Sequence, residues 1–225
     1  MDVDRHELAD AIRILTRAGL IDHSGHGSAR RDESCFFINS GASVRATLTR
    51  ADIVAVDLDG ALVEGTARAP LEFPLHGEIY RARPDVRAIF HTHPRWSTYL
   101  TMVGVPYAPV FPQGCLLGNV PVLDSPLSIN ARQIGERVAA TLGRGNAALL
   151  KSHGAVVAGA NVLEAFALAV YLEENAERQY MALQIGTPYV FSDAEQQACR
   201  ERLWQPNLFQ KAWEHYKTIG ESENR

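Results

Sequence analysis

Cysteine is scarce in this chain. Cys35, Cys115 and Cys199 are scattered over 225 residues and form no Cys-x-x-Cys pair. An odd, dispersed set argues against a zinc finger and against a disulfide framework. A reducing cytoplasm is the compartment this usage suggests. A basic excess is missing too. The 22 Lys and Arg stand against 26 Asp and Glu, for a net charge of −4. Duplex binding needs cations to neutralise phosphates, so nucleic acid is not an expected partner. Long apolar runs are also absent. A run such as Ala165–Leu172 falls far short of the ~18 residues that suggest a membrane span. The N-terminal stretch carries acids rather than a signal-type apolar segment. There is no repeat, low-complexity tract or linker-like stretch, so residues 1–225 read as one domain. No P-loop and no Gly-x-Ser-x-Gly elbow occur. Gly143–Ala148 spells a dinucleotide fingerprint, but it follows a predicted helix and precedes a predicted strand, the reverse of the required order.

What is present is clear patterning. Leu8, Ile12 and Leu15 share a face of a helix expected over 4–18, with Gly19 as its stop. Strands are expected at 35–38, 53–58, 61–63, 86–91, 147–151 and 154–158. Asp59-Gly60 signals a type I′ hairpin between the second and third of these. Helices are expected at 71–82, 95–103, 128–142 opening at Ser128, and 161–185 with Asn161 as N-cap. Two more, near 193–203 and 206–217, close the chain. The mix predicts an α/β (α+β) fold with helices flanking a central, mostly antiparallel sheet.

Histidine carries the chemistry. His91 and His93 end a predicted strand at Pro94, and residues i and i+2 of a strand face the same way. Both imidazoles can therefore serve one ion. His153 sits at a second strand break, in Lys151-Ser152-His153-Gly154. Three neutral imidazoles suit zinc, manganese, cobalt or iron and leave positions free for substrate. Hydrogen-bonded polar histidines are the alternative reading of the pair. Glu72 is a candidate general acid/base or fourth ligand. Leu71 and Phe73 beside it suggest an apolar site and a raised pKa. His76, one helical turn on, is either a support for the site or a structural residue. Lys151 reads as outward-facing.

These residues resemble a known family. The segments Leu71–His76, Ile79–Val86, His91-Thr92-His93 and Leu149–Gly154 are similar to the class II aldolase/adducin family. The resemblance spans about residues 5–190 and implies a three-layer α/β/α sandwich around a mostly antiparallel sheet. It implies His91, His93 and His153 as ligands of one divalent metal ion per subunit, and Glu72 as catalytic acid/base. It also implies a homotetramer with sites at subunit interfaces. Sugar-phosphate aldolases of the family hold phosphate with an asparagine, a threonine-glycine turn and a serine pair. Here His26 stands for the asparagine, Ser40-Gly41 keeps the turn, and Pro70-Leu71 replaces the serines. Proline has no N–H and leucine no hydroxyl, so two phosphate donors are gone. A phosphorylated substrate is therefore not expected. The segments Gly25–Arg30 and His76–Arg83 are instead similar to the family's decarboxylases, and that resemblance implies a metal-dependent lyase that decarboxylates a hydroxy-aromatic or hydroxypyridine dicarboxylate. Its enolate or phenolate would be stabilised by the metal. Ser28, Arg30, Ser40, Gly41 and His26 are the expected substrate-binding residues, with Arg30 gripping a second carboxylate. The alternatives are a sugar-phosphate or sugar-acid aldolase or epimerase, and a non-catalytic adducin-like module. The last predicts lost ligands, whereas Glu72 and the three histidines are all retained.

Overall fold

The structure is a computed structural model that describes residues 5–222. Eight strands form one sheet. They are β1 (His26–Arg30), β2 (Cys35–Asn39), β3 (Ile53–Asp57), β4 (Leu62–Glu64), β5 (Ala88–Thr92), β6 (Val122–Leu123), β7 (Ala147–Leu150) and β8 (Gly154–Gly159). The order across the sheet is β4-β3-β2-β1-β5-β8-β7-β6. Every pairing is antiparallel except β6 with β7. The helices are α1 (Arg5–Arg17), α2 (Phe73–Ala82), α3 (Arg95–Met102), α4 (Arg132–Leu142), α5 (Val162–Ile185), α6 (Asp193–Leu203) and α7 (Pro206–Ser222).

Alternation along the strands divides the core in two. Ala29, Phe37, Ala55, Phe90, Leu149 and Val157 face α1, α5 and α7. Phe36, Ile38, Val56, Ile89, Leu150 and Val156 face the other layer, built by α2 and α4. Both faces of the sheet are therefore buried, as the three-layer expectation requires. The α1 pattern places Leu8, Ile12 and Leu15 in the core; residue 4 of the expected helix lies outside the described residues. Asn161 caps α5 by accepting from the Glu164 N–H.

Three local expectations need correction. The β3–β4 turn is not type I′, because only Gly60, and not Asp59, has positive φ. Instead the Asp57 carboxylate accepts from the Asp59 and Ala61 N–H groups and shapes the loop. Helix α4 starts at Arg132 rather than Ser128, because Ser128 is engaged elsewhere. The central strand β1, His-Gly-Ser-Ala-Arg, is not among the strands expected from the sequence. Its polar and glycine residues hide the strand pattern, although all five positions are buried.

Candidate functional site

The site lies where β1, β5 and β8 meet the start of α2. Pairing of β1 with β5 sets His26 opposite His91. His93 follows directly after β5, and its N–H donates to the Leu20 carbonyl (2.9 Å). The turn between β7 and β8 presents His153. Ser152 there takes positive φ, uncommon for a residue with a side chain, and its N–H donates to Thr101 Oγ1 (2.9 Å). Gly154 follows for a steric reason. A Cβ at this position would run into the Thr92 carbonyl and lie 2.9 Å from the His93 ring.

The imidazole orientations are fixed from behind. The His91 Nδ1–H donates to the Ala155 carbonyl (3.0 Å), and the His93 Nδ1–H donates to Asp22 Oδ1 (2.9 Å). These partners accept only, so in the neutral rings both Nε2 atoms carry lone pairs. The two Nε2 atoms face each other at 3.1 Å, an unfavourable approach unless a cation draws on both. The ligand atoms of His91, His93 and His153 lie within 4.8 Å of one another. Burial, before the neighbouring His91, lowers His93 and brings His153 to about 4. Both are thus neutral near pH 7, as metal ligation requires. The donor set and its rear supports fit a divalent metal ion. A second group, His26, Glu72 and His91, is equally compact.

Glu72 occupies the N-cap position of α2 but caps nothing. Its Oε1 accepts from Ser128 Oγ (2.7 Å) and the Ile129 N–H (2.8 Å). Its Oε2 lies 3.3 Å from His91 Nε2 and 3.7 Å from His26 Nε2. Burial pushes the carboxyl up, but His26, His91 and Ser128 outweigh this and hold it well below the usual carboxylate range. The expected raised pKa is corrected on this point. Leu71, moreover, is 82% exposed and gives no apolar burial. Behind the site, His76 Nε2 lies 2.7 Å from His26 Nδ1. His76 is a buried support rather than a pocket residue. Lys151 points outward to Asp124 (2.6 Å).

A cavity of about 620 Å³ opens over these groups, lined in part by His26, Gly41, Arg45, Pro70, Leu71 and Glu72. Of the five expected substrate residues, His26 and Gly41 reach it. Ser28 and Arg30 do not, and strand geometry explains why. His26, Ser28 and Arg30 share one face, but each step of two carries the side chain roughly 7 Å further along the strand. Ser28 meets His76 and Tyr80 instead. The Arg30 guanidinium donates to the carbonyls of Val86, Tyr80 and Arg83 and stacks on the Tyr80 ring at 4.6 Å. Its donors are spent on holding the fold together, and it lies outside the cavity lining. Ser40 is buried outside the cavity lining. The Ser40 and Gly41 N–H groups are already taken by the carbonyls of Asp52 and Arg68.

Three residues in or beside the site are not among those expected there: Asp22, Arg45, and Ser128, which the sequence suggests only as a helix start. Arg45 is 4% exposed. It donates to the carbonyls of Gly25, Ser40 and Ser43, tying together two loops of the cavity wall. Among the described residues no carboxylate lies within ion-pair distance of it, although the Asp22 charge acts on it from further off, and its Nη2 makes no hydrogen bond. An arginine four residues past the retained Ser40-Gly41 turn is the signal the sequence offers.

Comparison with known proteins now decides the family. Residues 6–180 match the Class II Aldolase and Adducin N-terminal domain. The chain belongs to the class II aldolase/adducin family. It is 31% identical over 202 residues to a 5-methylthioribulose-1-phosphate/5-deoxyribulose-1-phosphate aldolase of Rhodospirillum rubrum, covering 88% of this chain and 90% of the relative. It is 31% identical over 198 residues to a 3,4-dihydroxyphthalate decarboxylase of a Terrabacter species, covering 81% of each. The solved L-fuculose 1-phosphate aldolase of Glaciozyma antarctica shares the fold, with a TM-score of 0.83 at 23% identity over 97% of this chain and 88% of that one. Aldolases and decarboxylases stand at similar identity, and this family member is a lyase of the class II aldolase type. Among the described residues, no helix is long and apolar enough to cross a membrane.

Proposed function

We propose that the chain is a divalent-metal-dependent decarboxylase of a hydroxy-aromatic or hydroxypyridine dicarboxylate. The observation that carries this reading is the cavity wall at Pro70-Leu71. Pro70 has no N–H to give, and Leu71 presents an exposed apolar side chain beside the histidines. Such a wall suits the face of a planar ring better than a phosphate. The relatives include dihydroxyphthalate decarboxylases at about the same identity as a sugar-phosphate aldolase, so the choice between the two rests on this wall. Arg45 takes the place intended for Arg30. A buried guanidinium with no carboxylate at hydrogen-bond distance is costly, and a second substrate carboxylate would complete it.

His91, His93 and His153 would hold the metal, whose Lewis acidity would stabilise negative charge developing on substrate oxygen. The remaining work falls to Glu72. Held ionised, it starts as a base and takes the proton of the ring hydroxyl. It then delivers that proton to the ring carbon bearing the carboxylate. The carbon–carbon bond breaks, CO₂ leaves, and its electron pair moves through the ring onto the former hydroxyl oxygen. One proton from solvent restores the hydroxyl. Ser128 and the Ile129 N–H fix the carboxylate during both transfers.

The test incubates metal-loaded protein with ortho-hydroxy aromatic dicarboxylates and with sugar phosphates, following CO₂ and aldehyde release. CO₂ from the aromatic acids is the expected result. Aldehyde from a sugar phosphate without CO₂ from any acid would establish the aldolase alternative. Glu72→Gln should keep the metal and lower kcat by roughly 10²–10⁴-fold. Full turnover in that variant would remove Glu72 from the proton transfers.

A further inference from the structure

A line of four buried polar side chains runs from the core into the cavity. The Tyr80 hydroxyl lies 2.8 Å from Ser28 Oγ. Ser28 Oγ lies 2.6 Å from His76 Nδ1, and His76 Nε2 lies 2.7 Å from His26 Nδ1. His26 Nε2 ends the line, buried and without a hydrogen-bond partner, facing Glu72 Oε2 at 3.7 Å. Ser28 is the only partner of the Tyr80 hydroxyl among the described residues.

Hydrogen-bond satisfaction orders this line. With both rings neutral, Tyr80 can donate to Ser28, Ser28 to His76 Nδ1, and the His76 Nε2–H to His26 Nδ1. Every internal donor then has an acceptor, and His26 is left with an Nε2–H aimed at a carboxylate. If the His76 proton sits on Nδ1 instead, that N–H uses the Ser28 oxygen. Either the serine or the tyrosine hydroxyl hydrogen then has no acceptor. His26 Nε2 also becomes a lone pair facing the Glu72 carboxylate. Both ends of the line favour the first arrangement, by at least about tenfold on the ordinary penalty for an unmade buried hydrogen bond. Both rings are enclosed, His26 1% and His76 0% exposed, and such burial favours the neutral form of each.

We propose that Tyr80, Ser28 and His76 lock His26 as the Nε2–H tautomer, making it a fixed hydrogen-bond donor for a substrate carboxylate oxygen and excluding it from metal ligation. The lock rests on the geometry of this chain alone; the identity of the acceptor rests on the decarboxylase reading. The arrangement also separates the two compact ligand groups. The one containing His26 lacks a lone pair, and His91, His93 and His153 remain. Ser28, Tyr80 and His76 thus act as positioning residues, and His26 as a specificity residue.

The experiment uses protein labelled with ¹⁵N at histidine. In the wild type, His26 Nε2 should give the protonated, pyrrole-type signal with its attached proton. One equivalent of zinc should move the Nε2 signals of His91, His93 and His153 and leave the His26 Nε2–H in place. An unprotonated His26 Nε2, or a His26 that shifts with the ligand set, would overturn the lock. Ser28→Ala removes the link and should give His26 a mixture of tautomers, with zinc still bound at one per chain. A pure Nε2–H signal in that variant would show that the line does not set the tautomer. Were Ser28→Ala not to fold, the wild-type spectrum alone decides. Salicylate, an ortho-hydroxy acid, then probes the acceptor. It should move the His26 Nε2–H proton downfield in zinc-loaded protein. A retained tautomer with no salicylate response would count against the aromatic-acid reading while leaving the lock standing.

Discussion

Asp22 offers a sharp test of the proposed metal centre, because one atom of it does several jobs. Its Oδ1 accepts from the Ser24 N–H (2.8 Å), the Gly25 N–H (3.0 Å) and the His93 Nδ1–H (2.9 Å). Burial pushes this carboxyl up, but the Ser24 and Gly25 N–H groups and His93 outweigh it, so the group is held ionised. In Asp22→Asn the amide oxygen can keep all three bonds, and the new NH₂ replaces Oδ2. The loop and the His93 ring should therefore stay in place, while the negative charge behind the ligand is lost. In Asp22→Ala the orientation is lost as well. Partners behind a ligating histidine are typically worth 10–100-fold in metal affinity. The charge-only variant should sit near the lower end, about tenfold or roughly 1.4 kcal/mol. The alanine variant should approach about a hundredfold, or roughly 2.7 kcal/mol. Competition against a chelator of known affinity, with zinc at neutral pH, measures both. Equal affinities in wild type and Asp22→Ala would refute the assignment of His93 as a ligand oriented by Asp22.

Two further outcomes follow from packing and from linkage. Gly154→Ala forces a Cβ against the Thr92 carbonyl and the His93 ring; overpacking of this kind costs about 1–3 kcal/mol. A fall of about 5 °C in Tm together with weakened zinc binding is expected, and an unchanged melting curve would show that the β7–β8 turn yields freely. His26 titrates at about 4 in the folded chain against 6.5 in the unfolded one. The unfolded state then binds more protons between these values, so stability present above pH 6.5 is lost as pH falls toward 4. The loss approaches about 3 kcal/mol from this group. Glu72, lowered as well, adds to the loss below pH 4.5, its ordinary value. Urea midpoints of metal-free protein at pH 7, 5.5 and 4.5 should fall in that order, and a flat series would contradict the burial of His26 as a neutral ring.

Some of this molecule is local and was readable as such. The i, i+2 spacing of His91 and His93, the Asn161 cap, and the helix and strand periods need only neighbours along the chain. Sequence by itself therefore determined the layered fold class and the candidate ligand set. Tertiary structure decided which side chains share the cavity. Arg30 and Arg45 look alike as letters. Strand β1 carries the first past the site to the carbonyls of α2, and the loop after β2 brings the second back into the wall. Ser128 looked like a helix cap and holds Glu72 instead. Apolar neighbours along the chain suggested a protonated Glu72, but the groups that set its charge come from β1, β5 and the loop before α4. Charge states and donor directions depend on distances between segments far apart in sequence. For that reason the backbone pattern was legible from the residues, while the electrostatics of the site emerged only once the strands had paired.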